Sequence, residues 1–549
     1  MKINKIINLA SLFLMVSVSA GCDKFLDTSL DTNRKSENIE TDRSNVWYFG
    51  YAFYSPISGG FSRIDDNLFA TASDEAQQTS VSSDVVYFNK GIVNENVNPL
   101  SYLYNDYYEG IRAANFFLDY VKDGKGVELL TQNRDIVTDK ISYERDLQSL
   151  DWMIAEAHVA KAYYYGELIK MYGGVPVIEY DAEAPVARSS YDECVDYIVS
   201  EIDTYKDRLA VDWKDFADRG GRFTLGAALA IKARVLLYAA SPLHNPSGDM
   251  EKWKKAADAS AEIISNKELG YVLSSDYQNY FLGNNCLSDK ETIYAVRMAN
   301  SNTLEAANYP IATAGGKSGA CPTENLVSQY EYIGPVNASN PYSNRDPRLD
   351  ATIVHNGSEW NGRTIDLTAG GSDDMAAKNA TRTGYYLKKF LNDGLNLTQG
   401  ATAQHNWVAY RYAEVLLNYA EAMNEVYGPM AKPEGYPMST TDALMMVRNR
   451  ASAQLPRLAA TTKAAFRAAV KHERQIELAF EDHRYWDLIR WMDAKDVLNR
   501  PVKGVKIAGG AYEVVDVAAR SFEERNYYLP FTRSEIQNSN GTLEQNKGY

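Results

Sequence analysis

Few of the side chains in this chain that could do chemistry stand at a spacing that would let them. His472-Glu473 opens the pattern in which two histidines one helical turn apart hold zinc, but Ile476 occupies the second histidine position, so no metal site forms. Gly316-Lys317-Ser318 has the end of a phosphate-binding loop, yet the first glycine of that motif would fall at Ile311 and no apolar strand leads into it. The same stretch is no nucleophile elbow, since Ala320 stands where the closing glycine belongs. Six histidines leave few candidates for a nucleophile's base. Acidic pairs are numerous, so a glycosidase dyad stays open on sequence alone. Glu473, Glu477 and Glu481 stand four apart and would repel one another unpaired. Arg474, Arg484 and Arg490 supply countercharges, as do Arg448 and Arg450 on the preceding helix. An acidic site for a cation or sugar is one reading; a ladder of ion pairs locking the last helices together is the other. Arginine forks suit partly buried carboxylates, which favours the ladder and places His483 in the same packing. We expect no catalytic residue, no metal and no cofactor.

The other chemically pointed position is Cys22. Lys2 and Lys5 form a positive start, Ile6 to Val18 is apolar, and Ser19-Ala20-Gly21 puts small side chains beside a scissile bond. The run is too short to cross a hydrocarbon core of about 30 Å as a mature helix and reads as a cleaved export signal. Ser-Ala-Gly-Cys resembles the lipobox of bacterial lipoproteins, in which cleavage leaves the cysteine as an acylated N-terminus. Residues 1–21 are therefore expected as signal and 22–45 as lipidated end and polar tether. No later segment is apolar for about 20 residues.

Lysine and arginine total 57 against 72 aspartates and glutamates, a net charge of -15 that argues against nucleic acid and against electrostatic attachment to anionic lipid. Cys194, Cys286 and Cys321 are odd in number and widely spaced, so they make no disulfide framework, though one bridge stays open. The aromatic balance is more telling: 39 Tyr and 8 Trp against 17 Phe. Flat rings with a polar rim suit protein interfaces, sugar faces and ordinary helix packing alike.

The elements that must hold any site are mainly helical and come in pairs. Trp152 to Tyr172, stopped by Gly173-Gly174, precedes Tyr191 to Leu209, where apolar residues recur at helical spacing. Leu225 to Ala240, with Thr224 as N-cap, precedes Trp253 to Ile264. Tyr410 to Tyr427 precedes Asp442 to Ala453, and a last helix runs from about Thr462 past Phe480 toward Trp491. Alanines where backbones approach are similar to tetratricopeptide hairpins, which stack into a curved scaffold. We expect helical scaffold over 46–275 and 407–549. Between them, 276–406 is rich in Gly, Asn, Thr and Ser and reads as an irregular lobe with short strands, such as Thr292 to Val296 and Ile353-Val354. The binding face is expected on that lobe and on the loops from about Asp74 to Pro99.

Several ordered motifs resemble the SusD-like (RagB/SusD) family of outer-membrane lipoproteins from Bacteroidetes-type bacteria. They are Cys22-Asp23-Lys24-Phe25-Leu26-Asp27, Thr71-Ala72-Ser73-Asp74-Glu75-Ala76, Tyr107-Tyr108-Glu109-Gly110 and Tyr172-Gly173-Gly174-Val175-Pro176. The most specific are Arg411-Tyr412-Ala413-Glu414, Arg448-Asn449-Arg450-Ala451, Glu473-Arg474 through Trp486-Asp487, and the closing Gln545-Asn546-Lys547-Gly548-Tyr549, where Lys547 replaces the family's usual Pro. The resemblance implies paired tetratricopeptide-type helices carrying a loop-rich lobe. It implies capture of glycans, or sometimes peptides, at the cell surface, by a lid on a SusC-like TonB-dependent transporter, without catalysis.

Sugar faces would then stack on aromatic side chains while amides and carboxylates take the hydroxyls. Position suggests Tyr87, Phe88 and Asn89 in the loop after the Asp74 motif and Tyr309 in the middle lobe; Asp74 reads either as a hydroxyl acceptor or as an N-cap, and Trp360, in a hairpin over 357–362, either meets ligand or packs inward. A lipid-anchored glycoside hydrolase and a peptide- or protein-binding helical scaffold are the alternative readings.

Overall fold

Among the described residues helix outweighs strand by 44% to 10%, so the frame is helical and the sheets are accessory to it. The computed structural model describes residues 42–180, 185–214 and 220–549. They fall into two units, 42–48 with 120–147, and 49–119 with 148–549. Cys22, the leader before it and most of the tether lie outside the described residues.

The long helices are α1 (Ser101–Val121), α2 (Lys140–Tyr172), α3 (Tyr191–Tyr205), α4 (Leu225–Ala240) and α5 (Met250–Ser265). After the middle lobe come α6 (Tyr412–Tyr427), α7 (Thr440–Arg448), α8 (Lys463–Glu477) and α9 (Arg484–Arg490). Local chemistry sets their ends. Ser190 and Glu193 form a reciprocal capping box on α3, and Thr224 caps α4 by accepting from Ala227 N at 3.2 Å. Gly428, at φ 92°, terminates α6. The hairpins close through small or flat side chains. His158 of α2 stacks on Tyr205 at 3.5 Å between ring centroids and meets Glu201 at 2.8 Å. Ala227, Ala230, Ala256 and Ala257 are buried on α4 and α5, whose backbones therefore approach closely.

One helix departs from expectation. The stretch from Thr462 toward Trp491 is broken between α8 and α9, where Phe480 (φ 65°) and Asp482 (φ 63°) adopt left-handed backbone. Glu481 thereby leaves the helical face of Glu473 and Glu477, adding Lys389 to the Arg411 that it shares with Glu477.

Those carboxylates do form a ladder. Arg411 donates to Glu291 (2.6 Å), Glu477 (2.7 Å) and, through two nitrogens, Glu481 (2.6 and 2.7 Å). Arg450 bridges Glu291 and Glu477 at 2.6 Å each, while Arg348 joins Glu473 (2.5 Å) to Glu477 (2.8 Å). Arg448 closes on Glu473 at 2.9 Å, and Lys389 on Glu481 at 2.7 Å. Beside it Arg474 pairs with Asp487 at 2.8 Å, and Arg490 with Glu421 at 2.6 and 2.7 Å. Burial opposes the charge on Glu477, but the guanidinium groups of Arg450, Arg411 and Arg348 override it and hold the carboxyl well below its usual range.

The middle lobe is built on two-stranded antiparallel ladders. β2 (Thr292–Arg297) pairs with β8 (Asn406–Arg411), which leads directly into α6, and β4 (Ile353–Val354) pairs with β7 (Tyr386–Leu387). β5 (Glu359–Trp360) and β6 (Arg363–Thr364) form the expected hairpin, and β1 (Ala76–Gln78) joins β3 (Ala320–Pro322). A hairpin of β9 (Val502–Ala508) and β10 (Ala511–Ala518) turns at Gly509-Gly510, both at positive φ, inside the stretch expected as C-terminal helical scaffold. The lobe's core takes Tyr277, Tyr280, Phe281, Tyr309, Trp360, Tyr385, Phe390 and Trp407, so much of the aromatic excess is packing. Cys194, Cys286 and Cys321 are buried free thiols.

Candidate functional site

The loops from Asp74 to Pro99 grow from a root that is fixed by buried charge. Arg484 donates to both oxygens of Asp74, at 2.8 and 2.9 Å. Burial alone would raise the Asp74 pKa; the guanidinium beside it pulls it below the ordinary value instead. The adjacent Glu75 takes the opposite path, since burial and then its neighbour Asp74 push its carboxyl well up. Arg520 donates to the Ala76 carbonyl at 2.6 Å and also holds the carbonyl of Ser73. Asp74 is thus a tie between the loop root and α9, and its oxygens are taken by protein rather than offered to a ligand.

Beyond β1 the chain turns outward and is pinned again at Thr79. Its N–H donates to Gly319 O at 2.9 Å, its hydroxyl to Ser318 O, and its carbonyl accepts from Arg382 Nε at 3.2 Å. A tight turn between Ile64 and Asn67 carries Asp65 and Asp66, at φ 49° and 56°. Asp65 accepts from Asp84 N at 2.6 Å and from the Ser83 hydroxyl, which fixes the next bend.

Here residues 84–101 face 532–534 across a groove of about 480 Å³ lined by Asp84, Glu95, Asn96, Asn98, Ser101 and Arg533, among others. Asn94 holds its rim by accepting from Asn96 N (3.0 Å) and Val97 N (3.2 Å). Asn98 sets its floor, donating to Pro530 O at 3.1 Å and accepting from Leu100 N at 3.1 Å. Glu95 and Arg533 approach to 3.5 Å across the gap. Exposed carboxylate, carboxamide and guanidinium groups on a braced frame suit a ligand rich in hydroxyls better than an apolar one.

The expected aromatic residues divide. Tyr87, on the short helix Val85–Asn89 just after Asp84, remains partly exposed. Phe88 is buried edge-on against Phe69 at 4.9 Å and Tyr485 at 6.0 Å. Asn89 is buried, and its carbonyl accepts from Ser521 N at 2.9 Å. Tyr309 and Trp360 meet, but in the lobe core, perpendicular at 5.3 Å, with the Tyr309 hydroxyl on the Asn392 carbonyl. Phe88, Tyr309 and Trp360 therefore correct the expectation of a stacking arc, because their faces are already covered by protein. Tyr102, 39% exposed and bonded through its hydroxyl to Arg63 O at 2.9 Å, was not anticipated and follows groove residue Ser101. Asp84 and Asn96 lie inside the loop range read from sequence; nothing in the sequence brings Arg533 opposite them.

A family model described as the SusD family matches residues 283–549, and one described as starch-binding associating with outer membrane matches 24–237. The chain belongs to the SusD-like family. It is 24% identical over 533 residues to SusD-like protein P25 of Formosa agariphila, spanning 91% of this chain and 92% of that one. SusD-like protein P2 of the same organism is 22% identical over 417 residues, 74% of this chain and 75% of its own length. Among solved structures, a SusD-like protein from Bacteroides fragilis superposes with a TM-score of 0.76 at 25% identity, covering 93% of this chain and 98% of that one. A SusD-like carbohydrate binding protein from the same species gives 0.73 at 23% identity, covering 92% and 100%. In this SusD-like chain the groove draws one wall from each matched stretch, 84–101 from 24–237 and 532–534 from 283–549.

Proposed function

We propose that this protein is an outer-membrane lipoprotein, acylated at Cys22 and facing the cell exterior, that captures oligosaccharides without cleaving them. It delivers them to a SusC-like TonB-dependent transporter, over which it closes as a lid. The observation that carries the binding role is the braced polar groove at 84–101 and 532–534. The outer-membrane and starch-binding description of the model matching 24–237 supports the setting and the ligand class. Hydroxyls of the ligand would bond to Asp84, Asn96 and Arg533, which line the groove. Affinity at one site is modest, because sugar hydroxyls give up good bonds to water and net only about 0.5–1.5 kcal/mol per replacement.

Native affinity gels over a polysaccharide panel, followed by calorimetry, test this. A glycan is retained, and Asp84→Ala with Asn96→Ala weakens it at least about tenfold while the melting temperature holds. Unchanged affinity in that variant would move the site elsewhere. Release of reducing ends would support the hydrolase reading, and retention of oligopeptides alone the peptide-binding one. Copurification of a barrel from solubilised membranes tests the lid.

A further inference from the structure

The smaller unit carries a turn whose arginine is folded inward while its aliphatic side chains stand in water beside the exposed Asp135 and Thr138. Arg134 donates to Asp139 (2.6 Å), Asp146 (2.8 Å) and the Ser142 hydroxyl (2.8 Å), and lies over the Tyr143 ring at 5.3 Å, leaving its side chain 4% exposed. Asp135 accepts from Val137 N at 3.1 Å and Thr138 N at 3.3 Å, which locks the bend into α2. Against this rigid clamp Val137 is 81% exposed, Ile141 one helical turn later 75%, and Ile136 41%. Val127, 44% exposed, sits on the helix Lys125–Thr131, which Thr131 fastens to Tyr143 through a hydroxyl pair at 3.1 Å. Branched aliphatics held outward by a buried guanidinium are positioned to be covered by something apolar.

We infer that this turn is a lipid-contact surface, with Val137 and Ile141 entering the boundary between headgroups and acyl chains. The inference rests on the proposed acylation of Cys22. The described part of this unit begins at Asp42, and the 19 residues between cannot span more than about 65 Å even fully extended. An acyl chain at Cys22 therefore keeps Asp42, and with it this unit, within about 65 Å of the bilayer. Charge permits the approach: residues 42–48 and 120–147 hold six basic and seven acidic side chains, in a protein of net charge -15. A few aliphatic side chains bind a membrane weakly alone, but added to a covalent lipid they orient the protein upon it.

The test separates contact from anchor. The mature chain, with a hexahistidine segment replacing Cys22, is tethered to vesicles containing a nickel-chelating lipid. An environment-sensitive fluorophore is placed through Val137→Cys, or through Ile141→Cys to guard against local damage, the three native thiols being buried. Tethering blue-shifts and brightens the label at both positions, but not one at Val514→Cys, itself 53% exposed on the other unit. Emission that stays aqueous at 137 and 141 on tethered protein overturns the lipid contact. Mass spectrometry of Cys22 from native membranes judges the anchor separately: an unacylated cysteine sinks the anchor whatever the label reports.

Discussion

Arg411 shows how much one side chain can carry in this protein. Three carboxylates converge on its guanidinium, and it is almost completely buried. Arg411→Met leaves those carboxylates with fewer partners and should cost about 3–5 kcal/mol, read as a lower urea midpoint. Arg484→Gln frees a single carboxylate, Asp74, and should cost less. His483 sets a pH dependence of its own. Burial, then Arg234, Arg474, Arg411 and Lys170, keep its imidazole neutral in the fold, well below its ordinary pKa. The unfolded chain binds the extra proton first, so stability falls as pH drops below about 6.5, by at most about 1.4 kcal/mol per unit. Glu477 and Asp487 are held down instead, so their contribution is full above about pH 4 and is lost only as pH falls through their lowered folded values. Thermal midpoints from pH 8 to 3 should show a shallow decline and then a steep one. His483→Asn should flatten the first without abolishing it, because burial also holds the His244 imidazole down, to about 3, and should keep the second; a decline unaltered in that variant would assign it to other groups.

Helices and hairpins differ in how plainly the chain announced them. Periodicity, caps and glycine stops placed α3, α4 and α6 to within a few residues, because those signals are local. The break between α8 and α9 has no such signal: Phe480 and Asp482 take left-handed backbone because burial of Phe480 and the reach of Glu481 toward Arg411 and Lys389 impose it. The β9–β10 hairpin is legible in the sequence, since Gly509-Gly510 stands between two runs rich in Val and Ile. Among the site residues, sequence located the loop range and not the facing of its rings. An aromatic residue in a loop reads the same whether its face meets solvent or, as with Trp360, another ring. Close packing supplies a sharper test at Gly110 of α1. A Cβ there would lie 2.2 Å from the Tyr164 ring on α2. Gly110→Ala should therefore destabilise by about 1–3 kcal/mol in thermal unfolding, although alanine is the better helix former by about 1 kcal/mol. A stabilised variant would mean that Tyr164 moves aside freely.

Across the whole molecule the two family matches, 24–237 and 283–549, leave out 238–282, yet the fold does not divide there. The groove takes a wall from each, and the buried ladder reaches from Glu291 and Arg348 through Arg411 and Arg450 to Glu473, Glu477 and Glu481. Its acids at 473–481 come late in a chain of 549 residues, while the bases they neutralise start at 348. A nascent chain ended before Glu473 could pack Arg348 and Arg448 only by sealing cations away from water with fewer counterions, which is costly. The late acids thus act as a clasp that cannot fasten until synthesis is nearly over. Until then the polypeptide has good reason to stay extended, which is the condition in which a protein can still be threaded through a narrow pore.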